Sequence, residues 1–189
     1  MLDEQSKFML QSARVLFVCE GSCERVIIET LLAAGKLIVD ESSVIKDTIT
    51  ERPTVICRSA KTIQDTFLGY DYDKQVAIVR ILDSRKERFK LGYPYNETIP
   101  VFSCYTTPEI EMLAIIKEQQ LDRYTNRFKS KLKPSEFCKK ELELTRIKNE
   151  AFLRDYWHDA DELCDCLELY RRQHVSKEKG ELIIADLLQ

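Results

Sequence analysis

The chain has 189 residues, enough for one domain with its own core, and 44% of them are hydrophobic. Charged residues make up 32%, 29 basic against 32 acidic, and the formal net charge of −3 excludes a globally basic protein, so any nucleic-acid site must be a local patch. Five Gly and five Pro exclude a low-complexity chain, and no apolar stretch reaches the roughly 20 residues that span a bilayer, so no membrane partner is expected.

Residues 3–12 suggest a short amphipathic helix, and Met1–Gln11 lack the apolar core of a targeting segment. The β-branched and aromatic run from Arg14 to Cys19 reads as a buried strand. Gly21 then breaks the run as a sharp turn, Ser22 is a candidate N-cap, and Val26, Ile27, Thr30 and Leu31 recur at helical spacing. The spacing predicts a helix over 22–35 with Gly35 as its C-cap. Residues 36–52 are polar and irregular, with a short strand near Val44-Ile45. A second strand follows over 54–57, and a second helix runs from Ala60 to Leu68.

Gln75–Leu82 is the strongest strand signal, mostly apolar without alternation, as in a strand buried on both faces of a parallel sheet. A fourth strand over 100–105 leads to a helix from Pro108 to Ile116, with Pro at its first position and acids in its first turn. Beyond 117 the strand signals stop. Helical segments follow over 119–131, 134–143, 149–157 and 159–173, with a closing helix from Lys177 to Leu188. The fold class is therefore α/β, a mostly parallel sheet flanked by helices with a helical C-terminal half. Residues 1–118 form the α/β core, and residues 119–189 form a helical insert or cap whose closing helix packs on that core.

Seven cysteines, an odd number with several inside apolar runs, read as reduced buried thiols of a cytoplasmic protein. The Cys164/Cys166 spacing is not a usual zinc spacing, and Cys19/Cys23, four apart around the turn, has no second Cys pair or clustered His nearby, so no zinc site is expected. His158 and His174 have no partner at ligand spacing. No Gly-rich phosphate loop and no nucleophile elbow is present.

Carboxylates recur at the ends of the predicted strands: Glu20 and Glu24, then Asp83, then Glu109 and Glu111. In a parallel sheet these ends lie along one edge, so the acids can converge. Clustered carboxylates suit a hard cation such as Mg²⁺ (or Mn²⁺) in phosphoryl transfer. Beside Asp83, the loop carrying Arg85, Lys86, Arg88 and Lys90 offers phosphate contacts. Lys129, Lys131, Lys133, Lys139 and Lys140 form a second cluster; diluted by Glu136, Glu141 and Glu143, it reads as a plain surface helix. Tyr93, Tyr95, Phe102 and Tyr105 could stack on RNA bases, although packing is the better reading.

The strand–Glu20-Gly21-Ser22-Cys23-Glu24–helix unit, the strand ending in Asp83, and Thr107-Pro108-Glu109-Ile110-Glu111 at a helix start resemble the Toprim (topoisomerase–primase) domain. The details are similar to small phage-defence nucleases of the RloB-like and OLD-like kinds, over roughly residues 14–116. The resemblance implies a Mg²⁺-dependent nuclease that cleaves RNA such as tRNA, ahead of DNA, as an anti-phage defence effector. It implies Glu20 as metal ligand or general base, Glu24 and Asp83 as ligands, Glu111 as a supporting acid, and an activating partner such as an ATPase; a homo-oligomer is left open. One departure stands out. The family's Asp-x-Asp reads Asp83-Ser84-Arg85 here, which removes a ligand and adds a permanent cation. Either one metal suffices, or Glu87 or Glu111 substitutes, or catalysis is lost. The last case makes the chain a catalytically inactive Toprim-like interaction or regulatory subunit that binds a protein partner or nucleotide.

Overall fold

The structure is a computed structural model and describes residues 2–107, 109–173 and 181–189. Four strands, β1 (Arg14–Cys19), β2 (Thr54–Ile56), β3 (Val76–Leu82) and β4 (Val101–Tyr105), form one all-parallel sheet in the order β2-β1-β3-β4. The long central pair runs in register from Arg14↔Val76 to Cys19↔Ile81. All seven residues of β3 are buried, as its unbroken apolar run requires. Val44 adds a single parallel bridge to Val15 in place of a strand.

Side chains alternate between two layers. Val15, Phe17, Cys19, Ala77, Val79 and Ile81 face the larger core, where α2 (Ser22–Ala33), α5 (Met112–Lys117) and α9 (Ala160–Gln173) pack. Leu16, Val18, Val76 and Ile78 face a smaller core closed by Ile63 and Phe67 of α3 (Ala60–Phe67) and by Leu91. Helix α1 (Glu4–Ser12) starts at an Asp3 cap and contributes Leu10, and α4 is one turn at Tyr95–Thr98. The C-terminal helices α6 (Leu121–Arg123), α7 (Pro134–Glu141) and α8 (Glu150–Tyr156) complete the helical half. Tyr124, Phe137, Leu153 and Leu167 belong to the same buried cluster as β1, so sheet and helical half share one core.

Helix α2 ends as the sequence reads. Gly35 has φ +63, its N–H donates to the Leu32 carbonyl and Lys36 N–H to Leu31, a Schellman closure that needs the left-handed residue. Its start differs: Gly21 is the N-cap residue and makes no side-chain cap, and Ser22 is already helical.

Three other boundaries differ. Pro108 lies outside the described residues, and α5 begins only at Met112 after a turn at Glu109–Glu111. Thr106 still belongs to the sheet there, since both its N–H and its hydroxyl donate to the Leu82 carbonyl. The closing helix is corrected as well: residues 181–189 form no α-helix, and Lys177–Gly180 fall outside the described residues. Leu182 bridges Cys104, Ile184–Leu187 make one 3-10 turn, and Leu188 bridges Leu37. Every residue from Leu182 to Leu187 is buried, more than one helical stripe can bury, and an extended strap achieves it by bonding to neighbours on both sides. Third, the predicted helix over 119–131 stops at Phe128, after a π-helical run over Tyr124–Phe128, and Lys129–Lys133 form a turn. No helix among the described residues is long and apolar enough to cross a membrane.

Candidate active site

With the order β2-β1-β3-β4, the chain leaves β1 toward one edge and returns past it to β3. Crossovers therefore diverge between β1 and β3, and a crevice opens beyond the carboxyl ends of those strands. Glu20 and Asp83 are the residues directly after β1 and β3. The Glu20 N–H continues the ladder to the Ile81 carbonyl at 3.1 Å, and its Oε2 accepts the Asp83 backbone N–H at 2.8 Å. Its Oε1 meets Arg58 Nη2 at 2.6 Å, so one carboxylate ties together the ends of β1, β2 and β3.

The crevice is a cleft of about 290 Å³ lined by Glu20, Glu24, Asp83, Glu109 and Glu111, with Arg58 and Lys148 as its cations. Glu24 projects from the first turn of α2 and is 6% exposed. Gly21 leaves space here and is not required for conformation: its φ of −151° is extended, and a Cβ would stand 3.1 Å from Glu24 Oε2, which would have to give by a few tenths of an ångström. Glu111 is equally buried, with Lys148 Nζ 3.6 Å from its Oε1. Glu109 turns its Oε2 to the Ser135 N–H at 2.8 Å, joining the cleft to the start of α7. Lys148 reaches the cleft because Cys23 donates its thiol to the Ile147 carbonyl and pins that loop against α2. Burial first, then Glu111 and Glu24, push the Cys23 thiol up to about 12, so it acts as a thiol donor and not as a nucleophile.

The electrostatics are those of crowded, dehydrated acids. Burial, reinforced by Glu111, Asp83 and Glu20, lifts the Glu24 carboxyl to about 7. Burial also raises Glu111, against the pull of Lys148, and raises Glu20, against the pull of Arg58. Both cations are on long, mostly exposed side chains, 66% for Arg58 and 61% for Lys148. Among the described residues, no group of three or more His, Cys, Asp or Glu side chains stands close enough as placed to hold a metal ion. The acids line a common space, with exposed cations set against two of them.

Glu20, Glu24, Asp83 and Glu111, far apart in sequence, thus meet in one cleft. The basic loop does not. Arg85 donates to Thr107 Oγ1 at 2.9 Å, pairs with buried Glu181 and lies 5.5 Å over the Tyr105 ring. Lys86, Arg88 and Lys90 are exposed, and none of the four lines the cleft. The Arg85 guanidinium is therefore paired with Glu181 and stands outside the cleft lining. Glu87 does not line the cleft: it pairs at 2.8 Å with Arg80 of β3, whose guanidinium covers Phe89 at 4.1 Å. Glu111 does line the cleft.

Tyr93, Tyr95, Phe102 and Tyr105 stand outside the lining, His158 is outside it too with its Nδ1 at the Asp155 carbonyl, and His174 lies outside the described residues. Sequence reasoning missed Arg58 and Lys148. Arg58 follows β2 by two residues, so the strand-end rule that found Glu20 and Asp83 would have found it. Lys148 sits in a polar connection in the helical half and carried no signal. Set against protein-family models, curated proteins and solved structures, the chain matches none.

Proposed function

We propose that the protein is a metal-dependent nuclease that hydrolyses nucleic-acid phosphodiesters, RNA ahead of DNA. The observation that carries this reading is the convergence of Glu20, Glu24, Asp83 and Glu111 on one cleft at the sheet's switch point, whose lining among the described residues holds two cations, both mostly exposed. The donor set fits a hard divalent cation: it is all oxygen, and burial has left its negative charge undercompensated, as the raised Glu24 shows. Glu20, Glu24 and Asp83 would hold Mg²⁺ or Mn²⁺, and the ion, when bound, would neutralise phosphate charge and favour in-line attack by water.

The chain's own groups supply the rest. Arg58 and Lys148 stand at the mouth on flexible stems and would meet the non-bridging oxygens of an entering phosphate. Glu111 keeps its proton to higher pH than an exposed glutamate, which suits a supporting acid at the leaving oxygen. The backbone bond from Asp83 holds the Glu20 carboxylate in place. The strand–Glu-Gly–helix and strand–Asp pattern of Toprim nucleases supports the same reading. A role in anti-phage defence, an activating ATPase and self-association belong to the proposal on that resemblance alone.

Purified protein incubated with total tRNA and with plasmid DNA, in Mg²⁺, Mn²⁺ or EDTA, tests it, with Glu20→Gln alongside. Metal-dependent cleavage by the unaltered protein alone is the expected result. Cleavage retained in Glu20→Gln removes the assigned site. Absence of cleavage together with absence of Mn²⁺ binding by calorimetry overturns the nuclease reading and favours an inactive interaction subunit.

A further inference from the structure

A concavity of about 450 Å³ lies at the start of α7. Its rim is the Lys129–Lys133 turn, with Tyr124 and Pro134 behind it. Lys129, Lys131 and Lys133 all line it, all are exposed, and none makes an ion pair among the described residues. Of the acids that dilute this cluster in sequence, Glu136 also lines the concavity, and the other two are engaged or distant. Glu136 Oε2 accepts the Lys133 backbone N–H at 3.0 Å, Glu141 pairs with Arg123, and Glu143 lies past the other end of α7. In a chain of net charge −3, three cations against the single carboxylate of Glu136 leave this depression with a local positive excess, the kind of patch that a nucleic-acid site requires.

The turn is built and not loose. Tyr124 Oη donates to the Leu132 carbonyl at 3.1 Å, and the Lys131 and Leu132 N–H groups both donate to the Phe128 carbonyl. Phe137 packs edge-to-face against Tyr124 at 5.1 Å and against Phe128 at 5.2 Å beneath it. The concavity also adjoins the carboxylate cleft. Glu109 lines the cleft and accepts the Ser135 N–H, and Pro134, one residue earlier, lines the concavity.

We propose that the Lys129–Lys133 turn seats the phosphates of a nucleic-acid strand whose scissile linkage enters the carboxylate cleft. The proposal deepens the nuclease reading and rests on it, and it moves the backbone contact from the Arg85–Lys90 loop to the helical half. Lysine binds phosphate as a point charge, so the contact is sequence-independent and releases counterions.

Anisotropy of a labelled single-stranded RNA oligonucleotide in EDTA, across a salt series, reads binding without cleavage. The Lys129→Gln/Lys131→Gln/Lys133→Gln protein is compared with the unaltered one and with Lys86→Gln/Arg88→Gln/Lys90→Gln. The first triple variant should weaken binding at least roughly tenfold and flatten the log–log salt slope by about 2, at about 0.7 per single-strand phosphate contact. The second should leave the slope unchanged. An unchanged affinity and slope in the first variant, or no RNA binding by the unaltered protein, overturns the proposal. If the lysines carry binding but no metal yields cleavage, the track stands and the nuclease reading falls; cleavage with lysine-independent binding gives the reverse.

Discussion

Replacing Glu24 by glutamine should stabilise the protein, and the gain should depend on pH in one direction. Glu24 is almost fully buried, and its carboxyl rises from 4.5 to about 7 on folding, chiefly through lost hydration and secondarily through Glu111, Asp83 and Glu20. A rise of two to three pK units at about 1.4 kcal/mol each makes the ionised form cost about 3 kcal/mol, as an upper estimate. The folded state binds the proton more tightly than the unfolded state. Stability is therefore fully present below about pH 4.5, falls as pH rises through the window to about 7, and stays reduced above it.

The glutamine has the same shape and no charge, so it should gain most of this near pH 8 and nothing near pH 4. At roughly 2–4 °C per kcal/mol for a chain of this size, the melting temperature should rise by about 5–10 °C at the alkaline end. Thermal melts of both proteins in EDTA across that range measure it. Parallel stability curves, or a less stable Glu24→Gln near pH 8, would refute the account of crowded dehydrated acids. Adding Mn²⁺ should raise the unaltered protein's melting temperature above pH 7 by mass action and leave Glu24→Gln nearly unmoved.

Gly21→Ala should leave the fold intact, because its backbone is open to any residue, yet displace the Glu24 carboxylate by a few tenths of an ångström; calorimetry should show Mn²⁺ affinity falling about tenfold. Arg58→Ala and Lys148→Ala should each tighten Mn²⁺ binding, since each removes a cation that competes for a cleft carboxylate, while slowing cleavage of RNA; weaker metal binding in both would show the cations to be structural. Arg85→Ala should cost about 2 kcal/mol in chemical denaturation, because the buried Glu181 loses its guanidinium, and should leave Mn²⁺ affinity unchanged; a matching loss of metal affinity would place Arg85 back in the cleft.

The α/β architecture was legible because its evidence is local. The β3 run is apolar without alternation, Gly35 closes α2 where left-handed backbone is needed, and strands and helices alternate up to Lys117. The carboxylates were legible too, because a parallel sheet sends every strand end to one edge whatever the details. What could not be read depends on partners distant in the chain. Leu182–Leu187 carry a helical stripe, but β4 and the segment after α2 compete for their backbone groups and draw them into a strap. The α5 start was misplaced because Thr106 remains bonded to Leu82. The placement of Arg85 outside the cleft was not legible because its partner, Glu181, lies 96 residues away.

The late start of α5 and the placement of Arg85 together decide how the cleft is charged. If the helix began at Pro108, Glu109 and Glu111 would be first-turn acids, stabilised by the helix dipole like those of many surface helices. With the chain still extended at Thr106, Glu109 instead bonds to the start of α7 and Glu111 is buried beside Glu24. Each arrangement removes a route by which these acids would be neutralised internally. The Arg85 guanidinium is taken by Glu181 outside the cleft, and the two cations in the cleft lining, Arg58 and Lys148, are both mostly exposed. A fold under selection for stability alone would favour an amide at position 24, since that change removes the charge without changing shape. The ionisable group there is a local conflict with stability, and such conflicts concentrate at functional sites. On the reading proposed above, a cation from solution would resolve it, since such an ion would bind most strongly where internal compensation is weakest.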